Sequence, residues 1–259
     1  MKKFGLVGFP LEHSFSEKYF TEKFDNENID AEYKLYPLNN IQDVRTLLEN
    51  EPELVGLNVT IPYKKQIINY LTDIDINAQK IGAVNTLKIE RKGKIFIKGY
   101  NTDIYGFEIL LEEFDYEGKK ALVLGSGGAA AAVCFVLSQK GIPYKVVSRN
   151  EKNGDVTYND LTSDDIKDNK LIINTTPLGM FPNAETCPPI DYDAVGKNHL
   201  LIDLVYNPSE TLFMKEGRRR GAAVANGLKM LHAQAEAAYS IWSDDEKITL
   251  TMNKTINNL

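Results

Sequence analysis

Short apolar runs and stretches of helical periodicity alternate along this chain, and the alternation sets the expected fold class. Residues 4–8, 32–37 and 54–59 read as strands. Residues 16–27 and 41–49 space their apolar positions for helices; in the second these are Ile41, Val44, Leu47 and Leu48. A helix around residues 65–70 and another ending before Gly82 follow. Residues 84–90 and 94–100, joined by Arg91-Lys92-Gly93, have the pattern of an antiparallel hairpin closed by a glycine. The first part of the chain is therefore expected to be a mixed sheet with helices.

The pattern then changes. Residues 104–114 place leucine and isoleucine at helical intervals, with Thr102 or Asp103 set to cap the first amides, and this helix is expected to link two domains. Ala121-Leu122-Val123-Leu124 runs into Gly125-Ser126-Gly127-Gly128, then into an alanine-rich helix over 129–139 and a strand over 144–147. That is a βαβ unit of the dinucleotide-binding kind. Residues 171–174, 200–205 and 222–225 supply further strands, most of them continuous apolar runs suited to a sheet covered on both faces. Gly227 opens a helix, and residues 247–257 read as the last one. No internal repeat or low-complexity segment interrupts the series. The expectation is an α/β protein of two domains: a mixed-sheet catalytic domain of residues 1–102 plus 228–259, and a doubly wound nucleotide-binding domain of residues 103–227.

Composition narrows the class of function. Hydrophobic residues are 43% and charged residues 25% of the 259, the balance of a globular enzyme and not of a disordered chain. A formal charge of −6 gives no field for nucleic acid. The one cationic run, Arg218-Arg219-Arg220, precedes Gly221 and reads as the close of a helix. Cys134 and Cys187 make no disulfide framework, Cys134 being expected as a small buried hydrophobe, and His13, His199 and His232 have no zinc spacing, so no metal is expected. Pro10, Glu12 and His13 cut the N-terminal apolar run short of a signal sequence, and nothing approaches the roughly 20 apolar residues of a membrane span. A cytoplasmic enzyme acting on a small molecule, as a monomer or homodimer and without a membrane partner, is the expectation.

Candidate chemistry starts at the glycine loop. Gly125 permits a tight turn, Gly127 lets a pyrophosphate approach the backbone, and the helix that follows, starting at Ala129, offers free amides to the anion. Ala130 stands where this fingerprint has its third glycine. At the end of the next strand, where an acidic residue would select NAD, the chain has Ser148-Arg149-Asn150. A guanidinium matches a ribose 2′-phosphate, which points to NADP over the alternative of a solvated strand-end charge at Arg149. Ser14 and Ser16 flank Phe15. Two such hydroxyls can hold a carboxylate, or one can cap the following helix. Lys64 ends the polar turn Asn58-Val59-Thr60-Ile61-Pro62-Tyr63-Lys64, which presents it as a proton donor, with Lys65 beside it. Thr175 and Gly179 lie in a loop after a strand, where doubly wound sheets place ligands. Met230 and Gln234 share one helix face.

These segments resemble a known family. Pro10 to Ser16, Asn58 to Lys64, Gly82-Ala83-Val84-Asn85-Thr86, Gly99-Tyr100-Asn101-Thr102-Asp103 and Gly125 to Ala129 stand in the order and at the spacing of shikimate dehydrogenases. So do Asn174-Thr175-Thr176-Pro177-Leu178-Gly179-Met180, Asp203-Leu204-Val205-Tyr206-Asn207-Pro208 and residues 227–234, so the resemblance spans nearly the whole chain. It implies a Rossmann-type nucleotide-binding domain and the reversible, NADPH-dependent reduction of 3-dehydroshikimate to shikimate, a step of chorismate and aromatic amino-acid biosynthesis. Lys64 and Asp103 are then implied as the catalytic pair. Ser14 and Ser16 are implied to hold the substrate carboxylate, and Thr60, Asn85, Tyr206 and Gln234 to contact the substrate. Gly125 to Ala129, Ser148, Arg149, Asn150, Thr175, Gly227 and Met230 are implied to hold the cofactor. The family's usual Asn-Arg-Thr with a second arginine is replaced here by Ser148, Arg149, Asn150 and a later Asn153. An NAD-preferring quinate/shikimate dehydrogenase shares most of these motifs, and a catalytically silent nucleotide-binding protein is the rival of another class.

Overall fold

The computed structural model describes residues 1–11 and 14–244; the expectations for Glu12, His13 and a helix over 247–257 lie outside the described residues. The chain divides into two compact units, Met1–Thr102 with the chain from Ala235 onward, and Asp103–Gln234.

The first unit is built from β1 (Lys2–Gly8), α1 (Phe15–Asn26), β2 (Ala31–Pro37), α2 (Val44–Asn50), β3 (Leu54–Val59), β4 (Asp73–Ile74), α3 (Ile76–Ile81), β5 (Thr86–Arg91) and β6 (Ile95–Tyr100). Its sheet runs β2-β1-β3-β5-β6-β4. β1 pairs parallel to β2 and β3, β5 antiparallel to β3 and β6, and β4 parallel to β6. Alternation of side chains along β1 sends Phe4 and Leu6 to one face and Val7 to the other. Phe20 and Phe24 of α1 and the last turns of the helix Leu228–Ser243, with Trp242, cover the first face. Val44 and Leu48 of α2, Ile67 and Ala78 cover the second. Trp242 fits because Gly56 has no side chain: a Cβ there would stand 2.5 Å from the indole, whose N–H donates to the Leu87 carbonyl at 2.9 Å. Two expected helices take tighter forms, with 3₁₀ turns at Ile41–Asp43, before α2, and at Gln66–Tyr70. β4 was not anticipated, since two residues carry no periodicity.

The second unit contains α4 (Asp103–Leu111), β7 (Ala121–Leu124), α5 (Gly128–Gln139), β8 (Tyr144–Ser148), β9 (Val156–Thr157), α6 (Ser163–Asp168), β10 (Leu171–Asn174), β11 (Leu200–Asp203), α7 (Leu212–Arg219), β12 (Ala223–Ala225) and the first turns of α8 (Leu228–Ser243). Its sheet is wholly parallel, in the order β9-β8-β7-β10-β11-β12. Counted within the unit this is 3-2-1-4-5-6, the doubly wound order, with its reversal between β7 and β10. The central strands are buried along their full length, as continuous apolar runs require. α6 has one buried residue, Ile166, and is held by the capping box of Thr162 and Asp165 instead of an apolar stripe, so periodicity could not reveal it. α7 closes on Arg220, which pairs with Glu216 at 2.5 Å and Asp193 at 2.6 Å, before Gly221 at a φ of 82°. Cys134 is half-buried and not fully buried as expected, because α5 turns Ala130, Val133, Val136 and Leu137 inward. Burial still pushes its thiol up to about 11, so it stays protonated at neutral pH.

Candidate active site

In the first unit, parallel and antiparallel pairing bring four chain ends to one edge of the sheet. Val7 pairs with Val59, Asn58 with Thr86, and Thr86 with Tyr100, so β1, β3 and β6 finish where β5 begins. The segments that leave this edge carry Ser14, Ser16, Thr60, Lys64, Asn85 and Thr102. Buried Tyr63 anchors the turn after β3 by donating to the Leu38 carbonyl at 2.5 Å. Lys64, next to it, is half-buried, whereas Lys65 is exposed.

Lys64 is tied to the residue before Asn85: its carbonyl accepts from the Val84 amide at 2.7 Å. Asn85, 3% exposed, accepts at Oδ1 from the Thr102 amide at 2.8 Å and donates to the Thr102 hydroxyl at 3.0 Å. Asp103 follows Thr102 directly and opens α4, where its side chain is buried. One segment, Gly82 to Thr86, thus holds the backbone at Lys64 and Thr102, the residue before Asp103. Beneath it lies a polar network that sequence reading missed. Tyr33 donates to Asn58 Oδ1 at 2.7 Å, Asn58 donates to Thr86 Oγ1 at 3.3 Å, and Thr86 donates to Asn85 Oδ1 at 3.1 Å. Polar side chains at strand ends in an apolar run were the signal available. Ser14 occupies the N-cap position of α1 but makes no capping side-chain bond, so it does not realise the capping alternative. The Ser16 hydroxyl lies in hydrogen-bond reach of Tyr33, whose phenol burial pushes well above 10.

In the second unit, the carboxyl ends of β7 and β10 flank the reversal of strand order, and Leu124 and Asn174 are register partners. Gly125 has φ 111°, and a Cβ on it would stand 2.7 Å from Thr175 Oγ1, so only glycine fits. Gly127 differs, since its Cβ position meets nothing within 4 Å. The protein's own packing does not demand glycine there, and the backbone is left open to approach. α5 begins at Gly128, and its first amides have no intrahelical acceptor. Ser126 and Ala129 are half-exposed beside them.

Arg149 is exposed in the turn after β8 and makes no ion pair among the described residues. Ser148 is 3% exposed, and its hydroxyl is engaged by the Asn150 backbone, accepting from the amide at 3.1 Å. Asn150 in turn accepts from the Lys152 amide at 3.0 Å, so both shape the turn that presents Arg149. Thr175 donates to the Leu124 carbonyl at 2.7 Å, which fastens its loop to the glycine turn. Gly227 packs on Leu204, and its amide donates to the Val205 carbonyl at 3.2 Å. Met230 is buried and Gln234 half-buried on the face of α8 that meets Gly106 of α4. Tyr206 is half-buried, which raises its phenol above 10.

Asp203, at the end of β11, is fully buried, and burial pushes its carboxyl up to about 6. It stays ionised at neutral pH, accepting from the Asn174 side chain at 2.9 Å, the Val205 amide at 3.0 Å and the Thr211 hydroxyl at 2.5 Å. Among the described residues no group of three or more His, Cys, Asp or Glu is arranged to hold a metal, and no helix is long and apolar enough to cross a membrane.

Residues 6–87 match the family model of the shikimate dehydrogenase substrate binding domain. A Clostridium beijerinckii protein named shikimate dehydrogenase (NADP(+)) is 38% identical over 272 residues, covering 100% of this chain and 99% of its own. The crystal structure of shikimate 5-dehydrogenase from Thermus thermophilus in complex with NADP(H) and shikimate superposes with a TM-score of 0.83 at 28% identity, covering 94% of each chain. Quinate dehydrogenase from Corynebacterium glutamicum in complex with NAD superposes at 0.84 with 25% identity, again covering 94% of each.

Proposed function

The chain belongs to the shikimate dehydrogenase family, and from that premise we propose that Lys64 and Asp103 are its catalytic pair. The activity is the NADP-dependent, reversible reduction of 3-dehydroshikimate to shikimate. NADPH, when bound, supplies the hydride. Hydride addition to a ketone leaves charge on oxygen, and the ammonium of Lys64 stabilises that charge and then gives up a proton to it. In the reverse direction the neutral amine takes the proton from the shikimate hydroxyl. The Asp103 carboxylate accepts from a substrate hydroxyl and orients the donor. The observation that supports this reading is the common anchoring of Lys64 and of Thr102, the residue before Asp103, to Gly82–Thr86.

Ser14 and Ser16 are proposed to hold the substrate carboxylate with neutral hydroxyls, and Thr60, Asn85, Tyr206 and Gln234 to meet the ring hydroxyls. Of these, Asn85 spends much of its hydrogen bonding on Thr102, so it acts at least in part by holding that segment. Residues 125–129 and Thr175 are proposed to form the pyrophosphate cradle, supported by the open space over Gly127 and the amides of α5. Gly227 and Met230 are proposed to lie at the nicotinamide end of the cofactor. The enzyme is further proposed to be cytoplasmic, a monomer or homodimer, and without a nucleic-acid partner, the last supported by the formal charge of −6.

Arg149 is proposed to select the 2′-phosphate, since it is exposed and unpaired among the described residues at the end of β8, with no carboxylate from Ser148 to Asn150 to accept from a ribose. The rival is an NAD-preferring quinate/shikimate dehydrogenase, and one solved structure this chain resembles is a quinate dehydrogenase in complex with NAD. Arg149→Ala is expected to raise the KM for NADP⁺ by roughly ten- to a hundredfold, the weight of one charge-assisted hydrogen bond, and to leave that for NAD⁺ nearly unchanged. Steady-state kinetics with both nucleotides check it, and equal effects on the two would remove the assignment.

A further inference from the structure

We propose that Asp203 is a positioning residue for this reaction: its single buried carboxylate holds together the segments of the second unit that meet the cofactor and substrate. The inference rests on the reading above of what those segments bind. None of the ligand contacts proposed above involves Asp203, yet three chain segments converge on it.

The first connection runs through Asn174, which donates to Asp203 Oδ1 at 2.9 Å. The carbonyl oxygen of the same Asn174 side chain accepts from the Thr176 amide at 3.0 Å and hydroxyl at 2.6 Å. Thr176 Oγ1 accepts in turn from the Leu178 amide at 3.2 Å. The loop from Thr175 to Leu178 is thereby shaped by one amide whose orientation Asp203 sets. Thr175 of this loop bonds the Leu124 carbonyl and packs on Gly125, so the connection reaches the glycine turn. The second connection is the Val205 amide, one residue before Tyr206. The Val205 carbonyl accepts from Gly227, which precedes α8 and Met230. The third is Thr211, the N-cap of α7, which leads to no proposed ligand contact.

The two oxygens divide the donors between them. Asn174 Nδ2 and the Val205 amide, which can only donate, both end on Oδ1, and the Thr211 hydroxyl, which accepts from the Met214 amide at 3.3 Å, ends on Oδ2. Asparagine at this position would keep its oxygen for the first two and turn its NH₂ only toward Thr211, so the ligand-facing branches stay in place. Alanine removes both oxygens, and the freed donors release their loops.

The test separates positioning from mere stability by using the branches of the network. Asp203→Ala, Asn174→Ala and Thr211→Val would be purified, their folding checked by circular dichroism and thermal unfolding, and kcat and KM measured for NADP⁺ and shikimate, with Arg149→Ala in parallel. Asp203→Ala and Asn174→Ala are expected to raise the KM for NADP⁺ by at least about tenfold, the loss that goes with one misplaced hydrogen bond to a charged ligand. Thr211→Val is expected to lower the unfolding temperature while keeping both KM values within about twofold of wild type, because its branch ends in the cap of α7. If Asp203→Ala does not fold, the contrast between Asn174→Ala and Thr211→Val decides. Unchanged KM values in folded Asp203→Ala or Asn174→Ala, or equal effects of Asn174→Ala and Thr211→Val, overturn the positioning role. If Arg149→Ala raises the NADP⁺ KM in that same experiment, the cofactor site stands and the positioning role alone fails. If Arg149→Ala is silent too, both fall.

Discussion

Lys64→Ala is expected to lower kcat by about 10²- to 10⁴-fold, the usual contribution of a positioned general acid, while NADP⁺ affinity is retained. The separation follows from the fold. Lys64 leaves the sheet edge of the first unit, whereas the proposed cradle, Gly125 to Gly128 and Arg149, belongs wholly to the second. Loss of the ammonium's stabilisation of the oxygen charge adds to the loss of its proton. Fold, nucleotide affinity and kcat should be measured on one preparation, since a fall in all three would report only unfolding. Near-normal turnover in a folded, nucleotide-binding variant would move proton transfer to another group. Lys65 would be next to test, although its exposure and the half-burial of Lys64 argue against it.

Asp103→Asn is expected to slow turnover strongly as well, and the double variant Lys64→Ala/Asp103→Asn to lose far less than the product of the two single losses. Residues that serve one transition state as a unit do not add. Asn keeps the shape of the side chain at the start of α4 but supplies one acceptor oxygen where the carboxylate has two. A double-mutant cycle on kcat/KM for shikimate measures the coupling. Strictly multiplicative losses would mean that Asp103 serves α4 and not the chemistry of Lys64.

The sequence made the large elements legible where the pattern was long or fixed by chemistry. The continuous apolar runs of β7, β10 and β11 could be read as buried strands, and glycines at fixed offsets between β7 and α5 marked the turn at Gly125. Two strands and one helix were not legible. β4 and β9 have too few positions for a period, and α6 is specified by its capping box and a single apolar residue. The 3₁₀ form of Gln66–Tyr70 also escaped, since helical spacing in five residues does not separate a 3₁₀ turn from an α-helix.

Candidate residues could be named from motif order, but what surrounds them could not. Nothing in the spacing showed that Asn85 would clamp Thr102, that Tyr33, Asn58 and Thr86 would form a buried chain beneath it, or that Ser148 would turn inward and leave Arg149 outside. Such relations join residues far apart in sequence, and sheet register creates them. Asp203 is the extreme case, an acidic residue at the end of an apolar strand whose spacing gives no sign that it is the buried acceptor of three bonds.

A side-by-side measurement of initial rates, with shikimate or quinate as substrate and NADP⁺ or NAD⁺ as acceptor, tests the proposed chemistry most directly. The highest kcat/KM is expected for shikimate with NADP⁺, falling when either component is exchanged. Absence of nucleotide reduction with shikimate, or a higher kcat/KM with quinate or with NAD⁺, would contradict it.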